Sequence, residues 1–182
     1  MTYAYITTQP ALDALAAKIT REAPENISVD TEFVRKTSYW PKLCLIQLCF
    51  LDKTYIVDAL ANLDLSPLKP AFQNPDICKI FHSGRQDIEI LYRMWGSIPA
   101  NIADTQILGM VTGFGDCASY EKICDTLLRK KLDKSQQHTD WGKRPLSQRQ
   151  LDYAAADVRD LETVYEKLIK KANEKITYIK DE

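Results

Sequence analysis

The chain has 182 residues, of which 45% are hydrophobic and 27% charged, and its formal net charge is −1 at pH 7. These values are typical of a globular protein, and they exclude a disordered chain or a fibrous repeat. The charge also excludes a basic surface overall, so a polyanionic partner would have to be held by local basic patches or by bound cations.

The N-terminal sequence predicts an intracellular location. MTYAYITTQPALDAL lacks the basic start and the apolar core of a secretory signal, and no apolar run approaches the length of a membrane span. We therefore expect a cytoplasmic protein without membrane association. The five cysteines form no CxxC pair, which favours reduced core residues over a zinc site. The length suits a single domain, residues 1–182.

The first half of the chain predicts a sheet with short helices. A strand is expected near residues 3–6, followed by a helix in ALDALAAKI. ISVDTEF, LCLIQLCF and KTYIVDAL predict three strands of an antiparallel meander, because the turn at Asp52 and Lys53 is short. SPLKPAFQNP predicts a short helix interrupted by prolines, and CKIFHS predicts another buried strand.

The second half is mainly helical. Ser83 and Gln86 predict a capping box before a helix with an apolar stripe. IADTQIL predicts a last strand or an edge segment, and residues 109–132 predict helices joined by a glycine turn. After the polar loop KSQQHTDWGKRP, Ser147 and Gln150 predict a second capping box and one long helix. The order of elements indicates an α/β layer fold with a mixed sheet.

Two acids in the apolar strand ISVDTEF are unexpected. Side chains two residues apart on a strand project from the same face, so Asp30 and Glu32 would lie roughly 6 to 7 Å apart at their Cα atoms. Two buried like charges at that distance destabilise a fold unless something neutralises them. They require either two separate buried partners or a bound cation.

Further acids are expected near this pair. Asp87 lies in the first turns of the helix after CKIFHS, and Tyr153 and Asp157 are four residues apart on one face of the last long helix. Each has an alternative explanation, since an acid stabilises a helix N-terminus and a flank residue is often solvated. Together the acids indicate oxygen ligands for Mg²⁺ or Mn²⁺, and two such ions support phosphodiester hydrolysis.

These residues resemble the motifs of the DEDD 3′–5′ exonucleases. VDTEF is similar to the first motif, FHSGRQDIEIL to the second and YAAADV to the third. The Tyr-x-x-x-Asp spacing of the third motif is that of the tyrosine branch. LCLIQL, ADTQIL and LDKSQQHTDWGKRPLSQRQLDYAAADV also resemble the ribonuclease D group of this family, over residues 27–161.

The resemblance implies a ribonuclease H-like fold with a mixed five-stranded sheet flanked by helices. It implies that Asp30, Glu32, Asp87 and Asp157 bind two divalent metal ions, Mg²⁺ or Mn²⁺. Tyr153 would then position the attacking water, because a tyrosine with a pKa near 10 is a poor base at neutral pH. The expected substrate is the 3′ end of single-stranded RNA, and the expected product is a nucleoside 5′-monophosphate.

One departure from the longer ribonuclease D proteins leaves alternatives open. Those proteins carry helical domains after the catalytic one, whereas this chain ends soon after the third motif, so we expect a short form without a C-terminal RNA-binding domain. DNA remains an alternative substrate for the same mechanism. A nucleic-acid-binding module without chemistry is the alternative from another class, and the sequence predicts no oligomeric state.

Candidate nucleic-acid contacts lie near the motifs. Those proposed for bases or phosphates are Phe33, His82, Lys134, Trp141 and Arg144, and further basic candidates are Arg35, Lys36, Arg85 and Lys143. Alternatives stay open for three of them, since Phe33 also fits a core position, His82 a hydrogen-bonded structural position and Trp141 a loop anchor. Trp40 and Trp95 are expected to pack in the fold.

Overall fold

A mixed sheet of six strands organises the residues that the computed structural model describes, 2–35 and 39–180. The spatial order is β1-β4-β3-β2-β5-β6. The strands are β1 (Tyr3–Ile6), β2 (Asn26–Val34), β3 (Lys42–Phe50), β4 (Lys53–Asp58), β5 (Cys78–Phe81) and β6 (Ile102–Asp104). Lys36, one of the predicted phosphate contacts, lies outside the described residues.

The antiparallel meander of β2, β3 and β4 is confirmed. Strands β1, β5 and β6 add to it in parallel. The five strands implied by the resemblance are therefore corrected to six. The sixth strand is the short edge strand β6. Only the first three residues of IADTQIL pair with β5, and the helix that follows begins at Thr105.

Seven α-helices occur in the described part of the chain. They are α1 (Gln9–Glu22), α2 (Lys69–Gln73), α3 (Arg85–Trp95), α4 (Thr105–Val111), α5 (Tyr120–Leu128), α6 (Gln148–Arg159) and α7 (Leu161–Lys180). The Ser147 capping box at the start of α6 is confirmed. The single long helix predicted after it is wrong, because the chain breaks at Asp160 and continues as α7. None of these helices combines the length and apolarity needed to cross a membrane.

The capping box predicted at Ser83 is also wrong. Ser83 adopts a left-handed conformation with φ of 58°. Its backbone N–H and that of Gly84 instead donate to the Asp104 carboxylate, each at 2.9 Å. Asp104 also caps α4 by accepting from the Gln106 N–H at 2.8 Å. One carboxylate therefore fixes the start of α3, the helix that carries Asp87.

Helices cover both faces of the sheet and separate the β2 side chains into two environments. Ile27 and Val29 face the larger core, which the first three helices cover. Asp30 and Glu32 alternate with these residues and face the side that α6 covers. Of the two tryptophans expected to pack in the fold, Trp95 is buried but Trp40 is 47% exposed. All five cysteines are free, and four are buried.

Arg144 anchors the polar loop that precedes α6. Its Nε and Nη2 donate to the two carboxylate oxygens of Asp58 at 2.7 and 2.6 Å, and its other N–H groups reach the carbonyls of Trp141, Lys143 and Cys44 at 2.8 to 3.1 Å. All five guanidinium N–H groups thus have acceptors. The predicted phosphate contact at Arg144 is therefore corrected to a structural anchor.

Asp58 is the buried partner of this anchor. Burial alone would raise its pKa, but hydrogen bonds from Arg144, from the Tyr5 hydroxyl at 2.5 Å and from the Leu60 N–H at 2.9 Å lower the pKa below its ordinary value. The carboxylate is therefore ionised at neutral pH, and its charge depends on Arg144 for compensation.

We predict that Arg144→Met lowers the free energy of unfolding by about 3 kcal/mol, because it leaves the buried Asp58 carboxylate without its cation. Urea unfolding measures this change. The double variant Asp58→Asn/Arg144→Met should recover part of the loss, since it removes the uncompensated charge. The neighbouring exposed change Lys143→Met is the control and should leave stability unchanged; a similar loss in both single variants would contradict the anchor.

Candidate active site

Three carboxylates from two distant parts of the chain meet beside β2. One carboxylate oxygen each of Asp30, Glu32 and Asp157 lies within 4.8 Å of the others. Asp30 and Glu32 come from one face of β2, and Asp157 comes from α6, which packs across that face. Ala154 and Ala155 of α6 are fully buried against the sheet, so their small side chains bring the helix close to the strand.

Asp87 approaches the same region from the opposite face of the sheet. It lies in the first turn of α3 and is 7% exposed. Its carboxylate accepts a short hydrogen bond from the Thr31 hydroxyl. Thr31 lies between Asp30 and Glu32 on β2 and points to the other face. Strand β2 therefore carries two of the acids and holds Asp87 through Thr31.

Asp87 is buried and the other three acids are half-buried, and their pKa values are raised. Burial, followed by the charges of neighbouring acids, raises the pKa of Asp30 and raises that of Glu32 to about 9. Burial also raises the pKa of Asp87, against the Thr31 hydrogen bond, and raises that of Asp157 to about 7. No described lysine or arginine forms an ion pair with any of the four. Such a set of hard oxygen donors with excess negative charge fits divalent cations.

Tyr153 lies one turn before Asp157 on α6 and is half-buried. Its ring packs against that of Trp141, with the centroids 5.9 Å apart. Burial, followed by the charges of Asp157, Glu32 and Asp30, raises the pKa of the Tyr153 hydroxyl. The hydroxyl therefore stays protonated at neutral pH, and it can orient a neighbouring oxygen but cannot act as a base.

A cleft of about 300 Å³ opens beside Asp30 and Asp157. Tyr153 and the predicted contacts His82 and Lys134 also line it. The exposed Lys134 ammonium pairs with Glu121 at 3.1 Å across the cleft, and its charge lowers the pKa of Asp157 against the effect of burial. The cleft is thus acidic at its floor and carries one cation at its rim.

Of the other two predicted contacts, His82 lines the cleft and Phe33 does not. The His82 Nδ1 lies 2.9 Å from the Thr105 hydroxyl, and burial lowers the pKa of the ring, as expected of a neutral structural histidine. Phe33 is half-buried beyond a β-bulge that follows Glu32, and it does not line the cleft. Nucleic-acid contacts at both residues stay predictions.

Trp141 is corrected from a possible stacking surface to a loop anchor. It is only 2% exposed and belongs to the apolar cluster beneath α6. A buried indole cannot stack on a nucleic-acid base. Arg144 anchors the loop that contains Trp141, and the contact of Trp141 with Tyr153 links this loop to the acid cluster.

Several residues of the site were missed by the sequence analysis. Thr31 and Asp104 hold Asp87 and its helix, and Tyr120 lines the cleft. Gln47 is fully buried opposite Asp30 in the ladder, and its amide has no hydrogen-bond partner among the described residues. A polar residue inside the apolar strand LCLIQLCF was the available signal for Gln47.

Comparisons with known proteins agree with this geometry. A family model described as 3′–5′ exonuclease matches residues 3–173. Ribonuclease D of Gluconacetobacter diazotrophicus is 44% identical over 167 residues, which make up 91% of this chain and 42% of that protein. The chain thus spans less than half the length of the curated relatives that it matches.

Two solved structures extend the comparison. Escherichia coli RNase D, an exoribonuclease involved in structured RNA processing, superposes with a TM-score of 0.90 at 38% identity, covering 96% of this chain and 46% of that chain. Brucella melitensis NrnC with bound Mg²⁺ superposes with a TM-score of 0.76 at 25% identity, covering 86% and 78%. With the family model matching nearly its whole length, this chain belongs to the 3′–5′ exonuclease family.

Proposed function

We propose that the chain is a metal-dependent 3′–5′ exoribonuclease, which hydrolyses the 3′-terminal phosphodiester of single-stranded RNA and releases nucleoside 5′-monophosphates. The observation that carries this proposal is the cluster of Asp30, Glu32 and Asp157 within 4.8 Å, beside a cleft that Tyr153 lines. The described residues would form one exonuclease domain, working in the cytoplasm as the sequence predicts.

The acids would hold the metal ions. Asp30, Glu32 and Asp157 would share them, with Asp87 completing the set from the other face of β2. Two ions, Mg²⁺ or Mn²⁺, would supply charge stabilisation of the phosphodiester and a lowered pKa of the attacking water. Mg²⁺ in the structure of NrnC supports this assignment.

The remaining residues would position the substrate. The protonated Tyr153 hydroxyl would donate to or accept from the attacking water and fix its approach. Lys134 at the rim of the cleft would contact a backbone phosphate, exchanging its exposed pairing with Glu121 for that contact.

Similarity to ribonuclease D proteins favours RNA over DNA as the substrate. The curated relatives are ribonuclease D proteins, and E. coli RNase D is described as acting in structured RNA processing. Rates on RNA and DNA strands of matched sequence test this choice, because discrimination depends on contacts to the 2′-hydroxyl. Equal rates would remove RNA preference from the proposal and keep its chemistry.

We predict that Asp30→Asn lowers the rate of hydrolysis of a 5′-labelled RNA by about 10³-fold or more, because it removes a charged metal ligand. A denaturing gel measures the loss, and the wild type should shorten RNA from the 3′ end only when metal is present. The melting temperature of metal-free Asp30→Asn should not fall below that of the metal-free wild type, since the variant removes one of the mutually repelling acids.

The matched control is Asp13→Asn, which neutralises an exposed aspartate on α1. It should retain full activity. An Asp30→Asn protein with wild-type activity would contradict the proposal, whereas RNA binding without hydrolysis by the wild type would favour the binding module.

We also predict that divalent metal stabilises the protein more at about pH 9 than at about pH 6. The four acids have raised pKa values in the metal-free fold, so the folded state holds protons that the unfolded state releases above about pH 4. Metal-free stability should therefore fall as pH rises from about 4 to 9, the pKa of Glu32. Bound metal replaces those protons and removes the penalty.

Thermal unfolding with and without Mg²⁺ across this pH range measures the effect. The Asp30→Asn variant should show a weaker metal response at every pH. A metal-induced shift in melting temperature that is independent of pH would contradict the assignment of the acids as the ligands.

A further inference from the structure

Two aromatic residues and an arginine form an ordered group on the surface. The rings of Tyr39 and Trp40 meet edge to face, with centroids 4.8 Å apart. The Arg93 guanidinium lies 4.0 Å from the centre of the Trp40 ring. Tyr39 nevertheless remains 80% exposed and Trp40 47% exposed, so the rings contact each other without being buried.

Both elements that support this group, the start of β3 and helix α3, connect it to the acid cluster. Tyr39 and Trp40 precede β3, whose first residue, Lys42, pairs with Val34, two residues beyond Glu32. Arg93 lies on α3, six residues after Asp87. The rise of a strand and of a helix places the aromatic group roughly 10 to 20 Å from the carboxylates.

The chemistry of the group suits single-stranded nucleic acid. An exposed aromatic ring stacks on any base, because every base has a π face, and arginine adds a positive charge that attracts phosphate. The Tyr39 ring already contacts Trp40, which reduces the conformational freedom that is lost when a base stacks on it. A shallow groove of about 300 Å³, lined by Pro41, Leu43 and Arg93 among others, continues beside it.

We propose that Tyr39, supported by Trp40 and Arg93, is a stacking platform for a substrate base several nucleotides 5′ of the scissile phosphodiester. This inference rests on the proposed function, because a 3′–5′ exonuclease holds the last nucleotide at the acids and its upstream strand must leave across the surface. At about 3.4 Å per stacked nucleotide, the separation corresponds to about three to six nucleotides. A dinucleotide therefore cannot reach the platform, whereas a longer strand contacts it.

Steady-state kinetics with Mg²⁺ on two substrates test the platform: a dinucleotide and a single-stranded RNA of about 12 nucleotides, which is twice the upper estimate of the reach. Tyr39→Ala should raise KM for the long RNA about tenfold, the effect of losing one base stack, and should leave kcat/KM for the dinucleotide unchanged. Tyr39→Phe keeps the ring and should behave as the wild type. Because Tyr39 is largely exposed, none of these variants should change the melting temperature.

Tyr92→Ala is the matched control. Tyr92 is 52% exposed and is adjacent to Arg93 in sequence, but consecutive helix positions point about 100° apart, so it faces away from the platform. Its variant should leave KM unchanged for both substrates. An unchanged KM for the long RNA in Tyr39→Ala, or an equal loss on both substrates, would overturn the inference.

A binding measurement separates this inference from the proposed function. Fluorescence anisotropy compares the dissociation constant of the labelled long RNA for Asp30→Asn and for Asp30→Asn/Tyr39→Ala. If the wild type hydrolyses neither substrate, the proposed function fails, and the platform stands only if the second protein binds about tenfold more weakly. Equal binding by the two proteins would refute the platform whatever the activity.

Discussion

The mutual repulsion of four acids, one buried and three half-buried, is the constraint on which the rest of the site depends. Asp30, Glu32, Asp87 and Asp157 are drawn from one strand and two helices, and burial holds their pKa values above the ordinary range. Such a cluster works against folding until protons or cations neutralise it. Its persistence requires a frame stiff enough to hold the carboxylates where their own charges would separate them.

That frame consists of polar contacts made by residues outside the cluster, which position the elements that carry the acids. Asp104 gathers three backbone N–H groups and fixes the start of the helix bearing Asp87. Arg144 ties the polar loop to Asp58, and Trp141 in the same loop packs on Tyr153. The charges in the frame are compensated, in contrast to those of the cluster.

Local sequence patterns predicted the parts of this arrangement that depend on spacing. Alternation in ISVDTEF placed Asp30 and Glu32 on one face, and a four-residue interval placed Tyr153 above Asp157 on α6. Residues whose environment depends on distant partners were predicted less well. Ser83 looked like a helix cap until Asp104 took that position, Arg144 looked like a phosphate ligand until Asp58 paired with it, and Trp40 looked like a core residue although it lies at the surface.

The position of α6 in the chain has a consequence for biosynthesis. The strand acids belong to the first third of the sequence, but Asp157 and Tyr153 lie on a helix near the end of the described residues. A protein made from its N-terminus on the ribosome can form the β2–β3–β4 meander long before α6 emerges. The carboxylate cluster therefore closes only after α6 has been synthesised, so a nascent chain that ends before α6 has Asp30 and Glu32 in the sheet without Asp157.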